Sequence, residues 1–145
     1  MITIGSRTAF VAFDPVERAG ERRNPDALCF AVKAACGGFN GRSDEVWIER
    51  GALRAFVAAL ERLDERREGA AELSAVEPDD LTLRIFALDR AGHLGVEGHL
   101  SRWEYLGLEP RRIGTTFAFE IDPGSLPKVI RRFEALMDRK ADAAR

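Results

Sequence analysis

The fold is decided by residues 81–100, which read LTLRIFALDRAGHLGVEGHL. On both sides of a four-residue turn, apolar and polar side chains alternate, which is the pattern of a strand with one buried face. Strands joined by so short a connection pair in the antiparallel direction. We therefore predict a β-hairpin that places Ile85 opposite Val96 and Arg84 opposite Glu97, a register that the opposite charges favour.

Further strands are predicted on both sides of this hairpin. They span residues 8–13, 28–36, 46–48, 70–76 and 113–121. In the last of them, Thr115, Phe117 and Phe119 face inward. A charged loop is predicted over residues 14–26. Because most strands are joined by short hairpins, we expect one curved antiparallel sheet of about six to seven strands.

Two segments show the helical period of 3.6 residues instead. A helix over about 51–67 carries a stripe of large apolar residues, and a second helix over about 124–140 carries another. The second helix is preceded by Asp122, a good capping residue, and by Pro123. The sequence therefore predicts an α+β domain with two amphipathic helices packed on one face of the sheet.

Length and composition set limits on the class of protein. At 145 residues, we expect residues 1–145 to form a single domain. The net charge of −2 argues against direct binding to nucleic acid. No apolar run approaches the ~18 residues of a membrane-spanning helix, and residues 1–13 lack the pattern of a signal peptide. Cys29 and Cys36 fall on opposite faces of one predicted strand, so reduced thiols and a cytoplasmic location are expected.

One set of side chains could hold a metal ion or a small molecule. His93, Glu97 and His99 share the outward face of the second hairpin strand, and histidine and carboxylate groups are common ligands of transition metals. In the predicted register, however, Glu97 pairs with Arg84, which favours a solvated polar face over a metal site. Ser101 follows on the same face without a third group to orient a catalytic pair. We expect no catalysis and no cofactor.

The glycines of the segment CGGFNGRSD, residues 36–44, are not expected to bind phosphate. No helix follows them and the Gly-Lys-Ser pattern of a phosphate loop is absent. A bend at Gly37-Gly38 and a turn at Asn40-Gly41 explain them instead.

Two surfaces are candidates for contact with another protein. The segment 61–80 holds eight acidic residues and three arginines, a net charge of −5, which suits a basic partner. Its candidate contacts on the first helix are Glu61, Asp64, Glu65 and Glu68. The second candidate surface lies near Trp47 and Trp103, because an exposed tryptophan is a frequent binding residue. Trp103 lies in a stretch between two strands, whose aromatic side chains we expect to pack over an edge of the core.

Residues 71–100 and 115–136 together resemble the small immunity proteins of the WapI type. The resemblance is carried by Glu77-Pro78, Leu81, Leu83, Phe117, Phe119, Asp122 and Leu126. It implies a protein that binds and neutralises a cognate toxin domain, often a nuclease, in the cytoplasm of the cell that makes it. Such a protein has no catalytic role.

The sequence therefore predicts a non-enzymatic protein-binding module of immunity type. Two alternatives stay open. The first is a homo-oligomer that self-associates through the sheet face not covered by helices. The second is a small-molecule or metal-binding domain that uses His93, Glu97 and His99.

Overall fold

A computed structural model describes residues 1–17 and 25–143, with side chains through residue 139. In this part of the chain, eight strands form two antiparallel sheets. The first sheet contains β1 (Ile2–Gly5), β2 (Phe10–Val16), β3 (Ala27–Cys36) and β4 (Phe39–Glu49). The second contains β5 (Ala70–Ser74), β6 (Leu81–Ala87), β7 (Leu94–Leu106) and β8 (Glu109–Ile121). There are two α-helices in this part of the chain. Helix α1 (Arg50–Arg66) lies between β4 and β5 in the sequence, and α2 (Leu126–Ala143) follows β8.

The α+β class and the antiparallel pairing are confirmed, but the prediction of one curved sheet of six to seven strands is wrong. Helix α1 separates β4 from β5, and because no hairpin joins these strands, β5 begins a second sheet. The two sheets meet where the Val76 amide donates a hydrogen bond to the Trp47 carbonyl over 2.8 Å. They also meet where β3 and β4 contact β7 and β8.

Strand β1 was missed because only Ile2 and Ile4 carry its pattern over four residues. As β1 forms the edge of the first sheet, β2 lies inside the sheet and continues to Val16. The predicted charged loop over residues 14–26 therefore starts later than expected. Its central part, residues 18–24, lies outside the described residues.

The hairpin that decided the fold has the predicted register. Ile85 pairs with Val96, and Arg84 pairs with Glu97. The earlier hairpin differs from the prediction, because its turn consists of residues 37–38 alone and Asn40-Gly41 belong to β4. Both turn glycines have positive φ angles, of 57° and 87°, which a two-residue hairpin turn requires and glycine adopts without strain.

Both helices lie close to their predicted bounds. Five large apolar residues of α1 are buried: Leu53, Phe56, Val57, Leu60 and Leu63. Before α2, the Asp122 carboxylate accepts a hydrogen bond from the Gly124 amide over 2.9 Å, as expected of a capping residue. The helices do not cover one face of a single sheet, however. Helix α1 packs on β4, β5, β6 and α2, while α2 packs on β1, so the helical layer bridges both sheets.

Aromatic rings join these layers at the centre of the core. Phe133 of α2 contacts Phe13 of β2 with ring centroids 5.6 Å apart, and Phe56 of α1 at 5.9 Å. Phe13 in turn contacts Phe30 of β3 at 5.9 Å. All three contacts have the edge-to-face geometry that aromatic pairs prefer. Buried apolar side chains of both sheets and both helices form one continuous cluster around them.

We expect the Phe133→Ala variant to lose about 3–5 kcal/mol of unfolding free energy, because it removes the ring shared by the two contacts and leaves a cavity. Urea denaturation followed by circular dichroism measures this loss. Phe39→Ala is the matched control, since the Phe39 side chain is 72% exposed and its removal should change the free energy by less than ~0.5 kcal/mol. Similar losses in both variants would contradict the central role of Phe133.

Candidate partner-binding surface

The outer face of the second sheet is lined by paired polar side chains. Arg84 of β6 lies between two carboxylates, 3.4 Å from Glu72 of β5 and 3.1 Å from Glu97 of β7. A shallow groove of about 580 Å³ crosses this face. Since each of these three charges has a partner on a neighbouring strand, they are not isolated charges that a ligand would neutralise.

His99 is fixed on the same face by two hydrogen bonds. Its Nδ1 lies 2.9 Å from the Thr82 hydroxyl oxygen, and its Nε2 lies 3.2 Å from the Asp79 carbonyl oxygen. Ser101, the next outward residue, donates its hydroxyl proton to the same carbonyl. These contacts hold the turn between β5 and β6 against β7, which is a structural role for both side chains.

The structure does not bring His93, Glu97 and His99 together around a common point. His93 bonds Asp89 in the β6–β7 turn, with 2.7 Å between Nδ1 and Oδ2. Glu97 pairs with Arg84, and the His99 ring forms a hydrogen bond with the Thr82 hydroxyl group of β6. Among the described residues, no group of three or more histidine, cysteine or acidic side chains could hold a metal ion.

The main feature that sequence reasoning missed is a projecting β-ribbon. The pairing between β6 and β7 stops at Leu81 and Leu100, because β6 begins at Leu81. Strands β7 and β8 stay paired beyond this point, up to the turn that contains Gly107. Residues 101–114 therefore form a two-stranded extension, called the ribbon below. Its aromatic side chains do not pack over the core edge as predicted, because Trp103 is 54% and Tyr105 is 68% exposed.

Trp103 is held in place from one side by a chain of polar contacts. The Arg112 guanidinium lies 4.4 Å from the centre of the Trp103 ring, a cation–π geometry. Arg112 also donates hydrogen bonds to the Asp80 carboxylate over 2.5 Å and to the Ser101 hydroxyl over 3.2 Å. Through Arg112, the exposed indole is therefore linked to Asp80 and Ser101 at the base of the ribbon.

Trp47, the other candidate tryptophan, is less accessible. It lies on β4 and is half-buried. Its ring N–H donates to the Glu45 carboxylate over 3.0 Å. Of the two tryptophans, Trp103 thus presents the larger surface to a partner.

The acidic candidates on α1, and Glu68 just after it, do not all point to solvent. Glu61, Glu65 and Glu68 are exposed, whereas Asp64 is half-buried and pairs with Arg67 at 3.3 Å. Arg67 has a left-handed conformation, with φ of 57°, and ends the helix by donating its backbone N–H to the Leu63 carbonyl. Asp64 therefore stabilises the helix end, and the other three remain available.

The second helix extends this acidic surface. A hydrogen bond with the Glu61 carboxyl group raises the pKa of Glu134, and partial desolvation and the charges of Glu61 and Asp138 act in the same direction. We call Glu61, Glu65, Glu134 and Asp138 the acidic helix surface. The i, i+4 spacing places each pair on one side of its own helix, but no sequence signal showed that the two pairs meet.

Comparison with known families gives one match. The model of the immunity protein WapI-like family matches residues 1–140. The chain matches no curated protein and no solved structure. In the described part of the chain, no helix is long and apolar enough to cross a membrane.

The pKa of His93 is raised, first by its hydrogen bond with Asp89 and then by the negative charge of that carboxylate. The same hydrogen bond lowers the pKa of Asp89. The pair therefore stabilises the fold between these two pKa values. Its contribution disappears as pH rises through the pKa of His93 and as pH falls through that of Asp89.

We expect Asp89→Asn to return the pKa of His93 toward its ordinary value, as measured by NMR titration of the ring protons. The difference in melting temperature between wild type and variant should be larger at about pH 5.5 than at about pH 9. An unchanged His93 titration in the variant would rule out Asp89 as the cause of the shift.

Proposed function

The chain belongs to the WapI-like immunity protein family, and from this membership we propose that it binds a cognate toxin domain and neutralises it without catalysing a reaction. The family match over residues 1–140 is the observation that carries the proposal. Inhibition by an immunity protein requires a stable complex, so its chemistry is that of a protein interface. The proposed site of action is the cytoplasm of the producing cell.

The surface chemistry supports a basic partner. On α1 and α2, four carboxylates form the acidic helix surface, and two of them are close enough to share a hydrogen bond. Carboxylates placed together repel each other, and a cationic partner would relieve this repulsion on binding. Complementary charge of this kind raises the association rate, which suits an inhibitor that must capture a toxin quickly.

The proposed contacts combine the residues predicted from the sequence with the acidic residues that the structure places beside them. They are Glu61, Asp64, Glu65, Glu68, Trp47 and Trp103, with Glu134 and Asp138 added from α2. Within this set, the role of Asp64 is indirect, because it stabilises the end of α1 through its ion pair with Arg67. Trp47 exposes only part of its ring to a partner. The exposed carboxylates of α1 and the indole of Trp103 are the strongest contacts in the proposal.

A pull-down of the tagged protein from its source cells, followed by mass spectrometry, identifies the bound toxin domain. That domain is then expressed in a test strain with and without this protein. The proposal requires that the toxin alone arrests growth, that co-expression restores growth, and that the two purified proteins form a complex of defined stoichiometry. A homo-oligomer without a bound toxin would instead favour the self-associating alternative.

We expect Glu61→Lys, Glu65→Lys and Glu68→Lys combined to weaken toxin binding, mainly through a slower association rate that depends less on salt. Asp64 is left unchanged because of its ion pair. The triple variant should stay folded, since surface substitutions usually change stability by less than ~0.5 kcal/mol each, and the Glu61→Lys change would also relieve the repulsion at Glu134. Stopped-flow binding at two salt concentrations measures the effect.

The control for this variant is Arg62→Glu, which changes charge on the same helix in the opposite direction. It should leave association equally fast or faster. If the triple variant binds with an unchanged association rate, the helix carboxylates are not part of the interface.

A further inference from the structure

In the described part of the chain, most of the exposed large apolar residues lie in the ribbon. Its exposed apolar side chains are Trp103, Tyr105, Leu106, Leu108 and Ile113. Leu108, at the tip, is 97% exposed. Large apolar side chains that are this exposed and lie this close together often mark a surface that a binding partner covers.

The apolar side chains lie on both faces of the ribbon. Trp103 pairs with Arg112 and Tyr105 with Pro110, on the face continuous with the outer face of the sheet. Ile113 and Leu106 lie on the opposite face, which continues the core side, because neighbouring residues of a strand point in opposite directions. A flat partner surface could cover only one of these faces. A cleft could cover both faces and the tip.

The arginine side chains of the ribbon already have carboxylate partners. Arg102 pairs with Glu104, and Arg111 pairs with Glu109 at 2.5 Å. Arg112 is held by Asp80 and by the Trp103 ring. Because these guanidinium groups have carboxylate partners, the ribbon is poorly suited to phosphate groups and well suited to an apolar protein surface.

The base of the ribbon carries free negative charge. Glu77 and Asp79 lie in the turn between β5 and β6, are exposed, and make no ion pair with the described residues. The Asp79 carbonyl contacts His99 and Ser101, so this turn borders the ribbon directly. A cleft that receives the ribbon would therefore gain from cationic side chains at its rim.

We propose that the ribbon inserts into an apolar cleft with a cationic rim on the toxin domain, with Trp103 as a preorganised anchor. The inference rests on the proposed function and names the element that makes the contact. Tryptophan, tyrosine and arginine dominate the energetics of protein interfaces, and all three occur in the ribbon, where Arg112 contacts the Trp103 ring. The rigid base of the indole reduces the entropy that would be lost on binding.

The test uses the toxin domain identified by the pull-down, made catalytically inactive, and isothermal titration calorimetry with the full chain. Two ribbon variants are compared, Trp103→Ala and the double variant Tyr105→Ser with Leu108→Ser. We expect each to raise the Kd at least ~30-fold. The control is Leu88→Ser, in the β6–β7 turn at the other end of β7, which should change the Kd by less than ~2-fold.

Circular dichroism establishes that each variant is folded, and the double variant is the safer probe because both of its side chains are largely exposed. The variants Glu77→Lys and Asp79→Lys should slow association and leave dissociation nearly unchanged. Slower association would support the cationic rim.

Three results would overturn the inference. If wild type binds the toxin domain and the ribbon variants bind it within ~2-fold of wild type, the ribbon is not the contact, although the proposed function stands. If wild type does not bind the toxin domain, the proposed function fails, and the inference fails with it. If the bare protein is a dimer in native mass spectrometry and the double variant is a monomer, the ribbon binds a second copy instead.

Discussion

The edge-to-face contacts of Phe133 with Phe13 and Phe56 are the interaction on which the rest of the structure depends. Each four-stranded sheet has one apolar face that must be covered, and neither sheet is wide enough to close on itself. Phe133 brings the last helix against both the first sheet and α1. The core is therefore completed only when the final element of the chain is in place.

This arrangement leaves the two candidate binding regions on the outside of the core for different reasons. The acidic helix surface is the solvent side of the layer that bridges the sheets. The ribbon is the part of β7 and β8 that extends past their neighbour. On the solvent side of this layer, Glu61 of α1 raises the pKa of Glu134 of α2, so the two helices bring carboxyl groups together.

The sequence predicted local structure well and the connections between elements less well. The register of the β6–β7 hairpin followed from alternation and charge, and both helices followed from their apolar stripes. Nothing in these local patterns indicated that α1 would divide the strands into two sheets. That division depends on contacts such as the hydrogen bond from Val76 to Trp47, between residues that are distant in sequence.

Prediction of the candidate surfaces was limited in the same way, because burial also depends on residues that are distant in sequence. The alternation of inward and outward residues along its strand predicted that Trp47 points outward. That pattern could not show that neighbouring groups would half-bury the ring. The stretch that contains Trp103 was predicted to pack over an edge of the core, because alternation is weak where both faces carry apolar residues, but the structure leaves its ring exposed. Glu134 was missed because its significance arises only from its meeting with Glu61 on another helix.

The position of the ribbon outside the core affects how this protein can evolve. Residues 103–110 lie outside the common core, so substitutions there should have small effects on folding. In the proposed binding mode, contact with the partner and the integrity of the core therefore depend on separate parts of one strand pair. If the ribbon is the contact proposed above, substitutions at its tip would let the protein follow changes in a toxin, while the bond between Arg112 and Asp80 keeps the base of the ribbon in place.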